Sequence, residues 1–264
     1  MKIEEMLNKI YLETKNGFEY VKQIPDKSID MILCDLPYGT TACKWDVIIP
    51  FELLWEQYNK VIKDNGCIAL FGTEPFSSYL RLSNIKYFKY DLIWNKMKAG
   101  LFISAKKRIL PKHENISVFY KSPPIYNPQM ENKPIKDQRP FRNDAKRSGS
   151  LELKMPKRIH SKDYNESLKY PTSILSFSKE MMECNNTKRV HPTQKPVALC
   201  EYLIKTYTNE GDIVLDNCIG SGTTAVACKR LNRNFIGMEI YQNYIDISYK
   251  RLSETKQGEG ICSK

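Results

Sequence analysis

Short apolar runs alternate with helically spaced apolar positions over the first 120 residues. Ile10-Tyr11-Leu12, Ile29 to Cys34, Cys67 to Phe71, Tyr90 to Trp94 and Ile116 to Tyr120 are apolar on both faces, which predicts strands buried in a parallel sheet. Between them Phe51, Leu54, Tyr58, Val61 and Ile62 recur at helical spacing, and Asn65-Gly66 supplies a C-terminal stop. Strands joined by crossover helices predict an α/β fold, a doubly wound and mostly parallel sheet.

The pattern weakens over residues 121–190, where Pro123, Pro124, Pro128, Pro134, Pro140, Pro156 and Pro171 are spread among polar and basic residues. This span reads as an irregular insertion between a first half, residues 1–120, and a second, residues 191–252. In the second half Val197, Cys200, Leu203, Ile204 and Tyr207 mark one face of a helix, and Ile213-Val214-Leu215 a strand. A glycine-containing turn, a helix from about Thr223 to Leu231 and a strand from Phe235 to Ile240 then make a βαβ unit. Tyr241, Tyr244, Ile245, Ser248 and Leu252 predict a last helix, followed by a polar tail over residues 253–264.

Charge changes this picture. The formal net charge is +11, and residues 121–190 carry fifteen Lys or Arg against eight Asp or Glu, a surplus of seven. Lys96, Lys98, Lys106, Lys107, Arg108 and Lys112 follow one another without an intervening acid. Such a distribution predicts a phosphate-contacting surface. The eight cysteines form no CxxC pair and several sit in apolar runs, as reduced core residues do. No signal-peptide pattern or membrane-length apolar stretch is present, so a cytoplasmic location is expected. His113, His160 and His191 lie outside any metal-ligand spacing and are read as non-catalytic, with no metal expected.

Two segments carry chemistry. The first, Asp35-Leu36-Pro37-Tyr38, follows the apolar run Ile32-Leu33-Cys34, so a carboxylate and an aromatic ring arrive at the carboxyl end of a strand, where open α/β sheets bind ligands. Pro37 restricts Leu36 to an extended backbone, leaving the Leu36 carbonyl beside the Asp35 carboxylate. Two acceptors then converge on one amine, and Tyr38 offers a stacking face. Strand alternation turns Cys34 away from Asp35, which argues against a covalent cysteine route. The second segment runs from Asp216 through Cys218, Gly220, Gly222 and Thr223 to Thr224, again between a strand and a helix. Its glycines permit close backbone approach to a ligand, and Glu239 ends the following strand, where a carboxylate can accept ribose hydroxyls. The third glycine of a dinucleotide fingerprint is missing, which disfavours NAD.

In combination these segments resemble the amino-methyltransferases of DNA, in the permuted order where the catalytic motif precedes the cofactor loop. Asp35-Leu36-Pro37-Tyr38 is similar to the family's D-P-P-Y motif. His191-Pro192-Thr193-Gln194-Lys195-Pro196 resembles its cofactor-side segment, and Asp216 to Thr224 its D-P-F-x-G-S-G-T loop. Phe71-Gly72-Thr73, Trp94-Asn95-Lys96 and the strand before Lys121 follow in the family's order. Leu36 stands where the family has proline, Asn217 and Cys218 where it has proline and phenylalanine, and Asn16 where aspartate is common.

The resemblance implies a Rossmann-like class I methyltransferase fold and S-adenosylmethionine as cofactor, held by Lys195, Asp216, Cys218, Gly220, Gly222, Thr223 and Glu239. It implies methyl transfer to the N6 amine of adenine in duplex DNA by Asp35, Leu36, Pro37 and Tyr38, the Leu36 contribution coming from its carbonyl. Lys96, Lys98, Lys106, Lys107, Arg108 and Lys112 would contact phosphates, and residues 121–190 would recognise the target. Cytosine N4 methylation and a DNA-binding relative without turnover are the alternatives, with protein-glutamine or RNA amino-methylation a further one that the basic insertion and the permuted motif order argue against. A homodimer and a cognate restriction endonuclease are left open as further partners.

Overall fold

The computed structural model describes residues 10–14, 21–40, 46–134, 167–178 and 194–258. It divides into a main unit, Met1–Asn127 with Ser173–Lys264, and a second unit, Pro128–Thr172.

The main unit is built on an eight-stranded sheet. In chain order its elements are β1 (Ile10–Thr14), β2 (Ile29–Cys34), α1 (Phe51–Val61), β3 (Ile62–Gly72), α2 (Phe76–Ser83), β4 (Phe88–Asn95) and β5 (His113–Phe119). The second unit contributes β6 (Glu131–Asn132) and β7 (Leu168–Lys169), and the main unit resumes with β8 (Ile174–Ser176) and α3 (Val197–Tyr207). It closes with β9 (Ile213–Asp216), α4 (Thr223–Arg230), β10 (Asn234–Glu239) and α5 (Gln242–Glu254). The strand order is β1-β10-β9-β2-β3-β5-β4-β8. β2 lies between β9 and β3 and is parallel to both. From β2 the chain moves outward to β3, and from β9 it moves the other way to β10. The join between β9 and β2 is therefore the switch point of a doubly wound sheet, where ligands bind beyond the carboxyl ends of the strands.

Alternation along β2 explains why its run is wholly apolar. Met31 and Leu33 face a core shared with α3, α4 and α5, whereas Ile32 and Cys34 face one shared with α1 and α2. All four are buried, so a polar residue on either side would lie in a core. The helical face read at Val197, Cys200, Leu203, Ile204 and Tyr207 is the buried face of α3.

Three expectations are corrected. α1 stops at Val61, and Ile62 already takes an extended backbone at φ −71°, ψ 137° as β3 begins. Asn65-Gly66 is thus no helix stop but part of an irregularity: Ile29 pairs with Ile62 and Met31 with Cys67, so residues 63–66 stand opposite Asp30. A Cβ at Gly66 would come within 2.9 Å of the Asp30 carbonyl oxygen, which is why glycine occupies that position. Second, β5 runs antiparallel to both β3 and β4. Third, the span read as irregular contains β8, which extends the sheet edge by pairing with β4.

The second unit, taken by itself, holds an antiparallel β6-β7 ladder tied by a Lys169–Glu131 ion pair at 3.0 Å.

Candidate active site

Both sequence segments emerge at the switch point. β2 delivers Asp35 directly after Cys34, and β9, its hydrogen-bonded neighbour, ends in Asp216. The chain past Tyr38 turns at Gly39, with φ +67°. That turn is fixed because Asp46 accepts the Gly39 and Thr40 N–H groups at 2.8 and 2.9 Å.

Asp35 is held from both sides. The Tyr38 hydroxyl donates to Oδ1 at 2.5 Å, and Lys195 Nζ donates to Oδ2 at 2.5 Å. Lys195 is buried and also pairs with Glu114 at 3.3 Å, while Lys96 pairs with the other Glu114 oxygen. Burial pushes the Glu114 carboxyl up, but Lys195 and Lys96 outweigh it and hold it below its ordinary value. Burial disfavours the Lys195 ammonium in the same way, yet Asp35 and Glu114 raise it above the normal lysine range, so it stays charged. The Tyr38 phenol is pushed up by burial and by the Asp35 and Glu114 charges, and remains a donor. The Tyr38 ring packs 5.0 Å from that of Phe76, and Lys195 Nζ lies 5.1 Å from the Phe71 ring centroid.

The second segment wraps from β9 into α4. Asp216 accepts the Cys218 N–H at 3.1 Å and the Thr224 hydroxyl at 2.7 Å, and burial raises its carboxyl to about 6. Gly222 has φ +80°, and a Cβ there would sit 2.7 Å from Ser248 Cβ on α5. Gly220 has φ +52°, and a Cβ there would meet nothing within 4 Å, so this peptide faces open space. Glu239, at the end of β10, accepts the Gly220 N–H at 3.0 Å and those of Ile240 and Tyr241 at 3.0 and 3.2 Å. Burial raises its carboxyl, with those N–H groups opposing. Cys218 is half-buried beside this loop, and Thr223 opens α4.

The catalytic and cofactor residues read from the sequence thus fall into two adjoining groups, and two of the lysines make ion pairs that the sequence did not show. Lys195, expected on the cofactor, contacts Asp35 and Glu114. Lys96, expected on phosphate, turns inward to Glu114, whereas Lys98, Lys106, Lys107, Arg108 and Lys112 are exposed. Asn16 and His191 to Thr193 lie outside the described residues. Sequence reasoning missed Glu114: the strand was read from Ile116, and a lone acid just before an apolar run carries no signal of its partners. It also missed Arg251, whose guanidinium donates to the Ser221 carbonyl at 2.5 Å and braces the loop from α5.

A family model described as DNA methylase matches residues 29–250. Type II methyltransferase M.HpaI of Haemophilus parainfluenzae is 30% identical over 92% of this chain and 74% of its own length. DNA adenine methyltransferase YhdJ of Escherichia coli (strain K12) is 29% identical over 88% of this chain and 79% of its own. Among solved structures, the M1.HpyAVI–SAM complex superposes with a TM-score of 0.62 at 27% identity, covering 92% of this chain and 98% of that one.

Proposed function

The chain belongs to the DNA methylase family, whose model spans residues 29–250, and from that premise we propose that it methylates the N6 amine of adenine in duplex DNA. The observation that carries this reading is the adjacency of Asp35, at the end of β2, to the Asp216–Thr223 loop at the end of β9.

S-adenosylmethionine fits the second group. The open face at Gly220, the turn at Gly222 and the carboxylates of Asp216 and Glu239 suit a ligand with hydroxyl and amine donors. Cys218 and Thr223 would line the same loop. When bound, the cofactor supplies an electrophilic methyl group on sulfonium.

The chain's own residues have to make the amine nucleophilic, because its lone pair is delocalised into the base. Asp35 and the Leu36 carbonyl accept the two amine hydrogens, which favours a tetrahedral nitrogen. Lys195 and Tyr38 keep the carboxylate oriented. The target base is extruded from the duplex at a cost of a few kcal/mol. Stacking on Tyr38, backed by Phe76, returns about 1–3 kcal/mol. Lys98, Lys106, Lys107, Arg108 and Lys112 hold phosphates, and the residue 121–190 span reads the target sequence.

Adenine is favoured because the first acceptor is a carboxylate, and because YhdJ, similar along most of its length, is named an adenine methyltransferase. Several relatives are named Type II methyltransferases, which supports a companion endonuclease. Among the described residues no helix is long and apolar enough to cross a membrane, and the five described cysteines are free, which supports a reducing cytoplasm.

Incubating the protein with labelled S-adenosylmethionine and duplex DNA, then identifying the modified nucleoside, tests this. N6-methyladenine is expected, with transfer abolished in Asp35→Ala while cofactor binding persists. Full activity in that variant overturns the mechanism, and N4-methylcytosine overturns the choice of base.

A further inference from the structure

The stretch between β4 and β5 joins a cluster of cations to a projecting apolar tip. Residues 97–112 hold Lys98, Lys106, Lys107, Arg108 and Lys112 and no acid. Phe102 is 70% exposed, Ile109 is 93% exposed, and Ile103 is fully exposed. Three large apolar side chains thus forgo the burial that stabilises such groups elsewhere.

The backbone of the tip is hydrogen-bonded within itself. Ser104 and Ala105 donate to the Leu101 and Phe102 carbonyls at 2.8 and 3.0 Å, and Lys107 and Arg108 donate to Ser104 at 2.9 and 3.0 Å. Leu101 sits at φ +56°, which non-glycine residues rarely adopt. The neck is closed by the Lys96 N–H on the Lys112 carbonyl at 2.9 Å and the Gly100 N–H on the Pro111 carbonyl at 3.0 Å.

The stem connects to the reacting centre through ion pairs. Asp35 binds Lys195, Lys195 binds Glu114, and Glu114 binds Lys96, the residue just before the loop. The stem of the loop is therefore tied to Asp35 through three ion pairs. A matching tip on a second copy is a poor partner, since five cations would meet five. A polyanion with an apolar interior satisfies both features, and duplex DNA is one.

We propose that Phe102 and Ile103 form a wedge that enters the base stack where the target nucleotide leaves it, while the flanking cations grip phosphates on either side. This rests on the methyltransferase reading above. Apolar side chains replace the stacking contacts that an extruded base gives up, so the duplex stays open while the base is in the site.

The test uses the full chain, the cofactor product S-adenosylhomocysteine and long duplex DNA of mixed sequence. Permanganate oxidises thymines left unpaired. Wild-type protein should sensitise thymines opposite the adenines it methylates. Phe102→Ala/Ile103→Ala, changed only at exposed positions, should at saturating protein lose at least five-fold of that reactivity and at least ten-fold of methyl transfer. Leu82→Ala, an equally exposed apolar position on α2, should keep full reactivity and methyl transfer. Wild-type reactivity in the Phe102→Ala/Ile103→Ala protein overturns the wedge. So does a dimer-to-monomer shift of that variant in light scattering, which would assign the tip to a self-interface. If wild-type protein methylates no DNA, the methyltransferase reading itself falls, and the wedge with it.

Discussion

Lys195 Nζ stands 2.5 Å from Asp35 Oδ2, while the Tyr38 hydroxyl takes Oδ1 at the same distance. The carboxylate is thus fixed before any substrate arrives, and Lys195 is fixed in turn by Glu114. Such preorganisation acts on rate more than on affinity. Lys195→Ala should slow single-turnover methyl transfer about 30-fold, equivalent to about 2 kcal/mol, with little change in DNA affinity. Lys195→Arg should recover part of it. An unchanged single-turnover rate in Lys195→Ala would remove the orienting role.

Two glycines of one loop should respond differently to the same substitution. Gly222 needs its positive φ and also abuts Ser248, so Gly222→Ala strains the backbone and displaces α5. A loss of about 2–4 kcal/mol is expected. Gly220 has only the conformational demand, and Gly220→Ala should cost about 1–2 kcal/mol. Its methyl would enter the open space assigned to the cofactor. Denaturant titration should therefore rank Gly222→Ala as the less stable variant, while calorimetry finds S-adenosylmethionine binding weakened in Gly220→Ala despite its milder stability loss.

The buried Asp216 carboxyl, raised to about 6, gives a pH dependence with a defined sign. Its folded value lies above the unfolded 3.8, so holding it ionised opposes folding, by about 3 kcal/mol once the pH exceeds 6. Stability from this group should fall as pH rises from about 4 to about 6. Cofactor affinity should move the opposite way, because only the carboxylate attracts a cationic ligand: affinity should drop as pH falls through about 6. Asp216→Asn should flatten both profiles in paired melting and binding measurements from pH 4.5 to 8. A wild-type binding curve with no inflection near 6 would show that Asp216 does not face the ligand.

The sequence displayed what burial on two faces imposes. The β2 run from Ile29 to Cys34 and the α3 face were legible because the cores above and below leave no room for polar residues. Direction was not legible: alternation has a period of two whichever way a strand runs, so antiparallel β5 looked like its parallel neighbours. The α1/β3 border was hidden because Val61 and Ile62 suit either element, and β8 because only Leu175 of its three residues is buried. In the site, Asp35, Asp216, Gly220, Gly222 and Glu239 stood out through spacing along the chain. The Glu114 bridge did not, since its partners Lys96 and Lys195 are brought to it only by the fold.

Asn217 brings a polar amide into a buried position and creates a dependence on Tyr58. The Tyr58 hydroxyl donates to Asn217 Oδ1 at 2.6 Å, with both side chains buried. The Asn217 Nδ2 has no hydrogen-bond partner among the described residues, so this one bond carries the compensation for burying the amide. Tyr58→Phe keeps the ring volume but leaves the Asn217 oxygen without a donor, which should cost about 1–3 kcal/mol. Asn217→Ala instead takes away the amide acceptor of the Tyr58 hydroxyl, leaving it only Cys34, and also opens space. If the bond is what couples them, adding Tyr58→Phe to Asn217→Ala should be nearly neutral, and a double-mutant cycle should return an interaction of about 1 kcal/mol or more. Strict additivity would mean that Tyr58 stabilises β9 and its loop through packing alone. Because Asn217 lies between Asp216 and Cys218, weakened cofactor binding should accompany the stability loss in Tyr58→Phe, although Tyr58 itself lies on α1 in the opposite layer.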